Sequence, residues 1–130
     1  MAITTGEWIE RYRRAWLQAD PELVASLFTP DGVYCWRLTE PPAVGRHAIQ
    51  GYWRGTCSTQ AEVELALSNP IAVDGRMVLE FWATMRESGN EVTLPGCMLL
   101  RFDGDGLCEE LREYWYSEPG RHMPPEVWGR

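Results

Sequence analysis

Lysine is absent from this chain of 130 residues, so all twelve of its basic side chains are arginine. That absence excludes a Schiff-base lysine, a phosphate-cradling P-loop lysine and a lysine general base. Histidine is scarce, with only His47 and His122. The four cysteines, Cys35, Cys57, Cys97 and Cys108, fall at irregular spacings with no CxxC pair. Neither a zinc site nor a disulfide framework is therefore expected. No apolar run reaches the roughly 18–20 residues that span a bilayer, so no membrane segment is expected. Positive charge is also in short supply: the net charge is −7, and the arginines are scattered rather than clustered. Nucleic acid is thereby excluded as a partner, since phosphate neutralisation needs a basic patch. The first residues reach acid and arginine at once, without a signal-peptide pattern, which makes a cytoplasmic location the expectation.

The composition that is present belongs to one globular domain, with 45% hydrophobic and 24% charged residues and seven tryptophans. Thr4-x-x-Glu7 reads as a capping box opening a helix, with Trp8, Ile9, Tyr12, Ala15 and Trp16 on one face. Asp20-Pro21-Glu22 starts a second, short helix carrying Leu23, Val24, Leu27 and Phe28. Residues 29–32 (Thr-Pro-Asp-Gly) read as a turn, 33–38 as a strand, 39–44 as a loop and 45–55 as a third helix.

Beyond residue 60 the hydrophobic period falls to two. Asp74-Gly75 and Ser88-Gly89-Asn90 mark hairpin turns, and Asp103-Gly104-Asp105-Gly106 another. Pro95-Gly96 interrupts the strand over 91–102, where proline implies an edge or a bulge. This order predicts an α+β domain: a cone-shaped, curved antiparallel sheet with three helices packed on its concave side. The pocket domain covers residues 1–117. The Pro/Gly-rich tail, 118–130, is expected to pack back on it, with Trp128 as anchor near the pocket mouth.

Three segments carry a resemblance to a known family. They are Leu27-Phe28 with Asp31, Gly45-x-x-Ala48-Ile49-x-x-Tyr52, and Gly106 with Arg112-Glu113-Tyr114. In this order they resemble the SnoaL-like family of the nuclear transport factor two-like superfamily, over roughly residues 6–117. The family includes polyketide cyclases; its superfamily includes ketosteroid isomerases and limonene-epoxide-hydrolase-like enzymes. The resemblance implies a pocket more firmly than a reaction, because fold does not transfer function.

Against the isomerases, Tyr12 matches the oxyanion-donating tyrosine of the first helix. The general-base aspartate falls on Trp36 and the protonated oxyanion-hole acid on Met98, neither of which can do that work. Against the hydrolases and cyclases, Glu113 matches the water-activating acid of the last strand. Their partner arginine and second acid would lie on a strand whose inward positions here are Leu79, Phe81, Ala83 and Met85, all apolar, with Glu80, Trp82, Thr84 and Arg86 opposite.

The candidate catalytic residues are therefore Glu113, Tyr12 and Tyr34. The candidate ligand-binding residues are Trp16, Trp36, Tyr52, Phe81, Met98 and Trp115, an apolar lining of the kind small-molecule sites use. An acid in such a lining has a raised pKa and can act as base or acid near neutrality. No cofactor and no metal is expected. His47 stands as a lesser candidate, while Asp103 and Asp105 read as turn residues. The ligand class is a small hydrophobic molecule. Trp82, Leu99, Tyr114 and Tyr116 would form an exposed aromatic patch on the outer sheet face, and with the resemblance they imply a homodimer. Three readings remain open: a cofactor-free acid–base enzyme (hydrolase, cyclase or isomerase) centred on Glu113, a binding protein without turnover, and a dimeric interaction module.

Overall fold

The computed structural model describes residues 2–130. Helix α1, Thr5–Leu17, begins at the anticipated capping box: the Thr4 side chain accepts from Glu7 N, and the Glu7 side chain from Thr4 N. Its buried face, Trp8, Tyr12, Ala15 and Trp16, is the one the helical period selects. Helix α2, Pro21–Ser26, is capped by Asp20, whose carboxylate accepts from Leu23 N at 3.0 Å. Strand β1 (Phe28–Cys35) and the two-residue β2 (Ala43–Val44) follow, then α3 (Arg46–Thr59). The chain continues through β3 (Gln60–Leu67), β4 (Ile71–Val73), β5 (Arg76–Glu87), β6 (Asn90–Phe102), β7 (Cys108–Trp115) and β8 (Glu118–Pro119). Among the described residues, no helix is long and apolar enough to cross a membrane.

The main strand order is β2-β1-β7-β6-β5-β3, with β4 on β5 and β8 on β6. The three helices and the inward faces of these strands share one core, in which Trp8, Tyr12, Phe28, Tyr34, Ile49, Trp53 and Phe81 are fully or nearly fully buried. Alternation along β5 holds as expected: Leu79, Phe81, Ala83 and Met85 are all buried inward. Asp74-Gly75 and Ser88-Gly89 make their hairpin turns with positive φ at each residue.

Several expectations need correction. The sheet is mixed, not wholly antiparallel, because β1 pairs with β7 in parallel. The segment over 29–32 is not a chain reversal but the middle of β1, where the register to β7 shifts. Its turn chemistry serves a bulge: Gly32 lies so close to Phe28 that an added Cβ would sit 2.8 Å from the Phe28 Cβ. Part of the loop at 39–44 pairs with β1 as β2, Val33 opposite Val44. Proline 95 neither marks an edge nor breaks register with β5, where it lies opposite Trp82. Its carbonyl accepts from Tyr116 N at 3.3 Å, so its missing donor also faces the β7 side, just where that strand ends.

The tail crosses the convex face. Arg121 reaches Glu62, Glu64, Glu91 and the Thr84 hydroxyl, and His122 N donates to Thr93 Oγ1 at 3.0 Å. Trp128 meets Trp82 edge to face at 6.0 Å. Trp128 therefore lies behind the sheet, not at the pocket mouth, because Trp82 points away from the side that Phe81 faces. Trp82 is not a free member of an exposed patch either: it is half-buried, and its Nε1 donates to His122 O.

Candidate functional site

Alternation along β7 turns Leu111 and Glu113 inward and leaves Tyr114 exposed. Glu113 lies opposite Met98 of β6, and is 9% exposed. The parallel pairing of β1 with β7 sets Tyr34 beside Leu111, one inward position away along β7. From there Tyr34 Oη donates to Glu113 Oε1 at 2.7 Å. Burial raises the Glu113 pKa from 4.5 to about 7, while the Tyr34 and Tyr12 hydroxyls pull in the other direction by favouring the carboxylate. Burial first, and then the Glu113 charge, push both phenols well above the usual tyrosine value of 10.0. Both phenols stay protonated, and of the two it is Tyr34 that donates to the acid.

A cavity of about 190 Å³ opens in front of this pair. Its walls come from α1 (Trp16), β1 (Tyr34), α3 (Tyr52, Trp53, Thr56, Thr59), β3 (Gln60), β5 (Phe81, Glu87), β6 (Leu94) and β7 (Glu113, Trp115). It continues outward into a groove of about 630 Å³ formed by Trp36, Arg37, Leu38, Tyr114, Tyr116 and Ser117. Glu87, Leu94, Glu113 and Trp115 line both spaces. The walls are fixed by their own bonds. Trp16 Nε1 donates to Gln60 Oε1 at 3.0 Å, and Trp115 Nε1 to Trp36 O at 2.8 Å. Trp36 stacks on Tyr52 at 4.1 Å, and Tyr52 meets Tyr34 at 5.3 Å. Phe81 lies directly over Gly96, where an added Cβ would fall 2.2 Å from its Cζ. Glycine is needed there for the ring to occupy its place.

The structure thus brings together Glu113, Tyr34, Trp16, Tyr52, Phe81 and Trp115 around one cavity and puts Trp36 at its outer groove. It does not put Met98 or Tyr12 on the cavity wall. Met98 is fully buried in the core, beside Glu113 on the neighbouring strand. Tyr12 is fully buried too, stacked on Trp8 at 5.3 Å, and its hydroxyl has no hydrogen-bond partner among the described residues. It lies close enough to Glu113 for each to perturb the other's ionisation, a layer behind the cavity. His47 is exposed in the first turn of α3 and lines neither space.

Sequence reasoning missed Trp53, Gln60 and Glu87. Trp53 lies within the helix expected over 45–55 but carries no motif, and Gln60 and Glu87 sit at opposite strand ends that meet as a β3–β5 pair. That pairing is the one signal that could have joined them. Among the described residues, no group of three or more His, Cys, Asp or Glu is arranged to hold a metal ion.

The SnoaL-like domain family model matches residues 9–111. No curated protein sequence matches the chain. Among solved structures, one similar chain is a hypothetical protein of ketosteroid isomerase-like fold from Catenulispora acidiphila DSM 44928, solved with trimethylamine. It is 22% identical with a TM-score of 0.76, over 85% of this chain and 86% of that one. A second is SalBIII, an epoxide hydrolase/cyclase-like enzyme with a role in pyran ring formation in the polyether salinomycin. It is 17% identical with a TM-score of 0.75, over 85% and 89%. A third, named as a SnoaL-like polyketide cyclase, comes from Shewanella denitrificans OS-217. It is 14% identical with a TM-score of 0.74, over 85% and 89%. At these identities the likeness is one of fold.

Proposed function

The chain belongs to the SnoaL-like domain family, and we propose that it performs cofactor-independent acid–base chemistry on a small, mainly apolar molecule held in the Glu113 cavity. The observation that carries this reading is a buried carboxyl with a pKa of about 7, lining an aromatic cavity and held by one phenol. A group with that pKa is populated in both forms near neutrality, which is what proton transfer in either direction requires. Tyr34 holds Oε1 and leaves Oε2 to take a proton from substrate or water, or to return one. Isomerisation uses that step directly, and in hydrolysis or ring closure it would remove the proton from the attacking water or hydroxyl as the new bond to the substrate's electrophilic atom forms and the leaving oxygen takes up a proton. Tyr12, behind the cavity, acts on Glu113 rather than on the substrate.

A thermal-shift screen of apolar carbonyl, epoxide and phenolic compounds on wild type and Glu113→Gln tests this reading, since bound ligand stabilises the fold with its occupancy. The expected result is a set of compounds that bind both proteins and are converted only by wild type. Conversion by the Gln variant at the wild-type rate would remove Glu113 from the chemistry.

One observation favours a second reading, a carrier without turnover. Leu79, Phe81, Ala83 and Met85 occupy the inward positions along the middle of β5, so the acid that strand brings to the cavity is Glu87 at its far end, and no arginine comes with it. Hits left unchanged by wild type would support the carrier.

We also propose that the protein forms a homodimer through the convex sheet face, away from the part the tail covers. Ile71, Val73, Val78 and Leu99 border a groove of about 260 Å³ there, with Val73 67% exposed. Tyr114 and Tyr116, at 42% and 60% exposure, belong to the outer groove of the cavity and would edge such an interface. Light scattering on wild type and Leu99→Arg distinguishes a dimer from a monomer. A monomeric wild type at micromolar concentration would refute it.

A further inference from the structure

We infer that the inner cavity takes a small organic cation, an alkylated ammonium group, held by aromatic rings and by the carboxylates of Glu113 and Glu87. This rests on the reading that the Glu113 cavity is the ligand site, and it narrows the ligand from apolar in general to apolar and cationic.

Among the described residues, six of the twelve that line the cavity are aromatic, and only Leu94 is purely aliphatic. The rings stand at steep angles to one another. Trp16 meets Trp53 at 79° and Phe81 at 61°, and Tyr34 meets Tyr52 at 64°, all with centroids within 5.3–5.7 Å. Such a box presents π faces as well as edges, and a π face attracts a weakly hydrated cation. A neutral aliphatic molecule gains little from rings that leucine or valine would not also give, whereas a cation gains the attraction of the ring quadrupole.

Charge points the same way. Among the described residues, the ionisable side chains lining the cavity are two carboxyls, Glu87 and Glu113, and two phenols, Tyr34 and Tyr52, with no arginine or histidine. Anionic ligands are therefore disfavoured. The Glu113 carboxyl is buried with no cation to balance it, so a positively charged occupant relieves its desolvation whereas a neutral one worsens it. The outer groove already shows the same affinity between ring and cation: the Arg37 guanidinium sits over the Trp115 ring at 5.9 Å. An alkylated ammonium fits better than a primary one. An aromatic face offers no directed acceptor to an N–H group but attracts a methyl-bearing cation, and the Gln60 carbonyl oxygen already accepts from Trp16.

The test compares choline with 3,3-dimethylbutan-1-ol, which has the same shape without the charge, by calorimetry on the full chain. Choline is expected to bind wild type roughly tenfold or more tightly than the alcohol. Glu113→Gln and Trp115→Leu, each checked for folding by circular dichroism, are expected to narrow that preference. Equal or tighter binding of the alcohol, or no binding of choline and tetramethylammonium, would overturn the inference. The two readings fail separately. Neutral compounds that bind and are converted would keep the acid–base proposal and sink the cation. Cations that bind and are never converted would do the reverse.

Discussion

Glu113 makes a quantitative demand on how stability varies with pH. Its carboxyl titrates at about 7 in the folded protein and at about 4.5 when solvated. Between those values the folded state holds a proton that the unfolded chain has released. Stability must therefore fall as pH rises through this window, the reverse of an acid held by a salt bridge. Below about pH 4.5 both states are protonated and the penalty is absent. Above about pH 7 both are ionised and it is complete. At about 1.4 kcal/mol per pKa unit, moving from 4.5 to about 7 corresponds to roughly 3 kcal/mol.

Glu113→Gln keeps the shape and removes the titration. Urea unfolding of the two proteins from about pH 4 to about pH 8 should show wild type losing roughly 3 kcal/mol relative to the variant, and the variant should be the more stable at the upper end. Every other carboxyl is common to both, so the difference isolates this one. A ¹³C titration of the Glu113 carboxyl should have its midpoint near 7. Parallel stability curves, or a midpoint near 4.5, would refute the reasoning and with it the proton-transfer role.

Three further outcomes follow from the same geometry. Tyr34→Phe removes the 2.7 Å bond that favours the carboxylate, so the Glu113 midpoint should rise above about 7 in the ¹³C titration, with about 1–2 kcal/mol lost on urea unfolding. Gly96→Ala forces the Phe81 ring out of place and should cost about 1–3 kcal/mol, and a double-mutant cycle with Phe81→Leu should recover much of it. Arg121→Ala releases the tail from Glu62, Glu64, Glu91 and Thr84, at a cost of about 1 kcal/mol. The tail over residues 118–130 should then be cut faster in limited proteolysis, and Trp82 should fluoresce at longer wavelength.

What could be read in the sequence is what local chemistry decides. The Thr4–Glu7 capping box, the Asp20 cap, the paired turn residues and the inward set on β5 all involve partners a few positions apart. Glu113 was readable because its motif and its alternation agree. The parallel pairing of β1 with β7 was not, since it joins segments almost 80 positions apart and no local pattern encodes its direction. Thr29–Gly32 carries residues that serve equally for a turn or a bulge, and only the neighbouring strand decides between them.

The same division explains the site. Tyr34 was a candidate among several tyrosines until β7 fixed its neighbour, whereas Tyr12, matched to a first-helix tyrosine by the resemblance, and Met98, read as pocket lining, are buried off the cavity wall. Gln60 and Glu87 carry no motif at all; they reach the cavity because β3 and β5 pair end to end there. Trp82 shows the limit from the other side. Alternation correctly turned it away from the cavity, yet its exposure depended on a tail whose anchor is an arginine reaching across three strands' worth of acids and a threonine. Direction along a strand is a local property, whereas exposure belongs to whatever else covers that face. A patch of outward aromatics is therefore evidence for a partner only after the chain's own terminus has been placed.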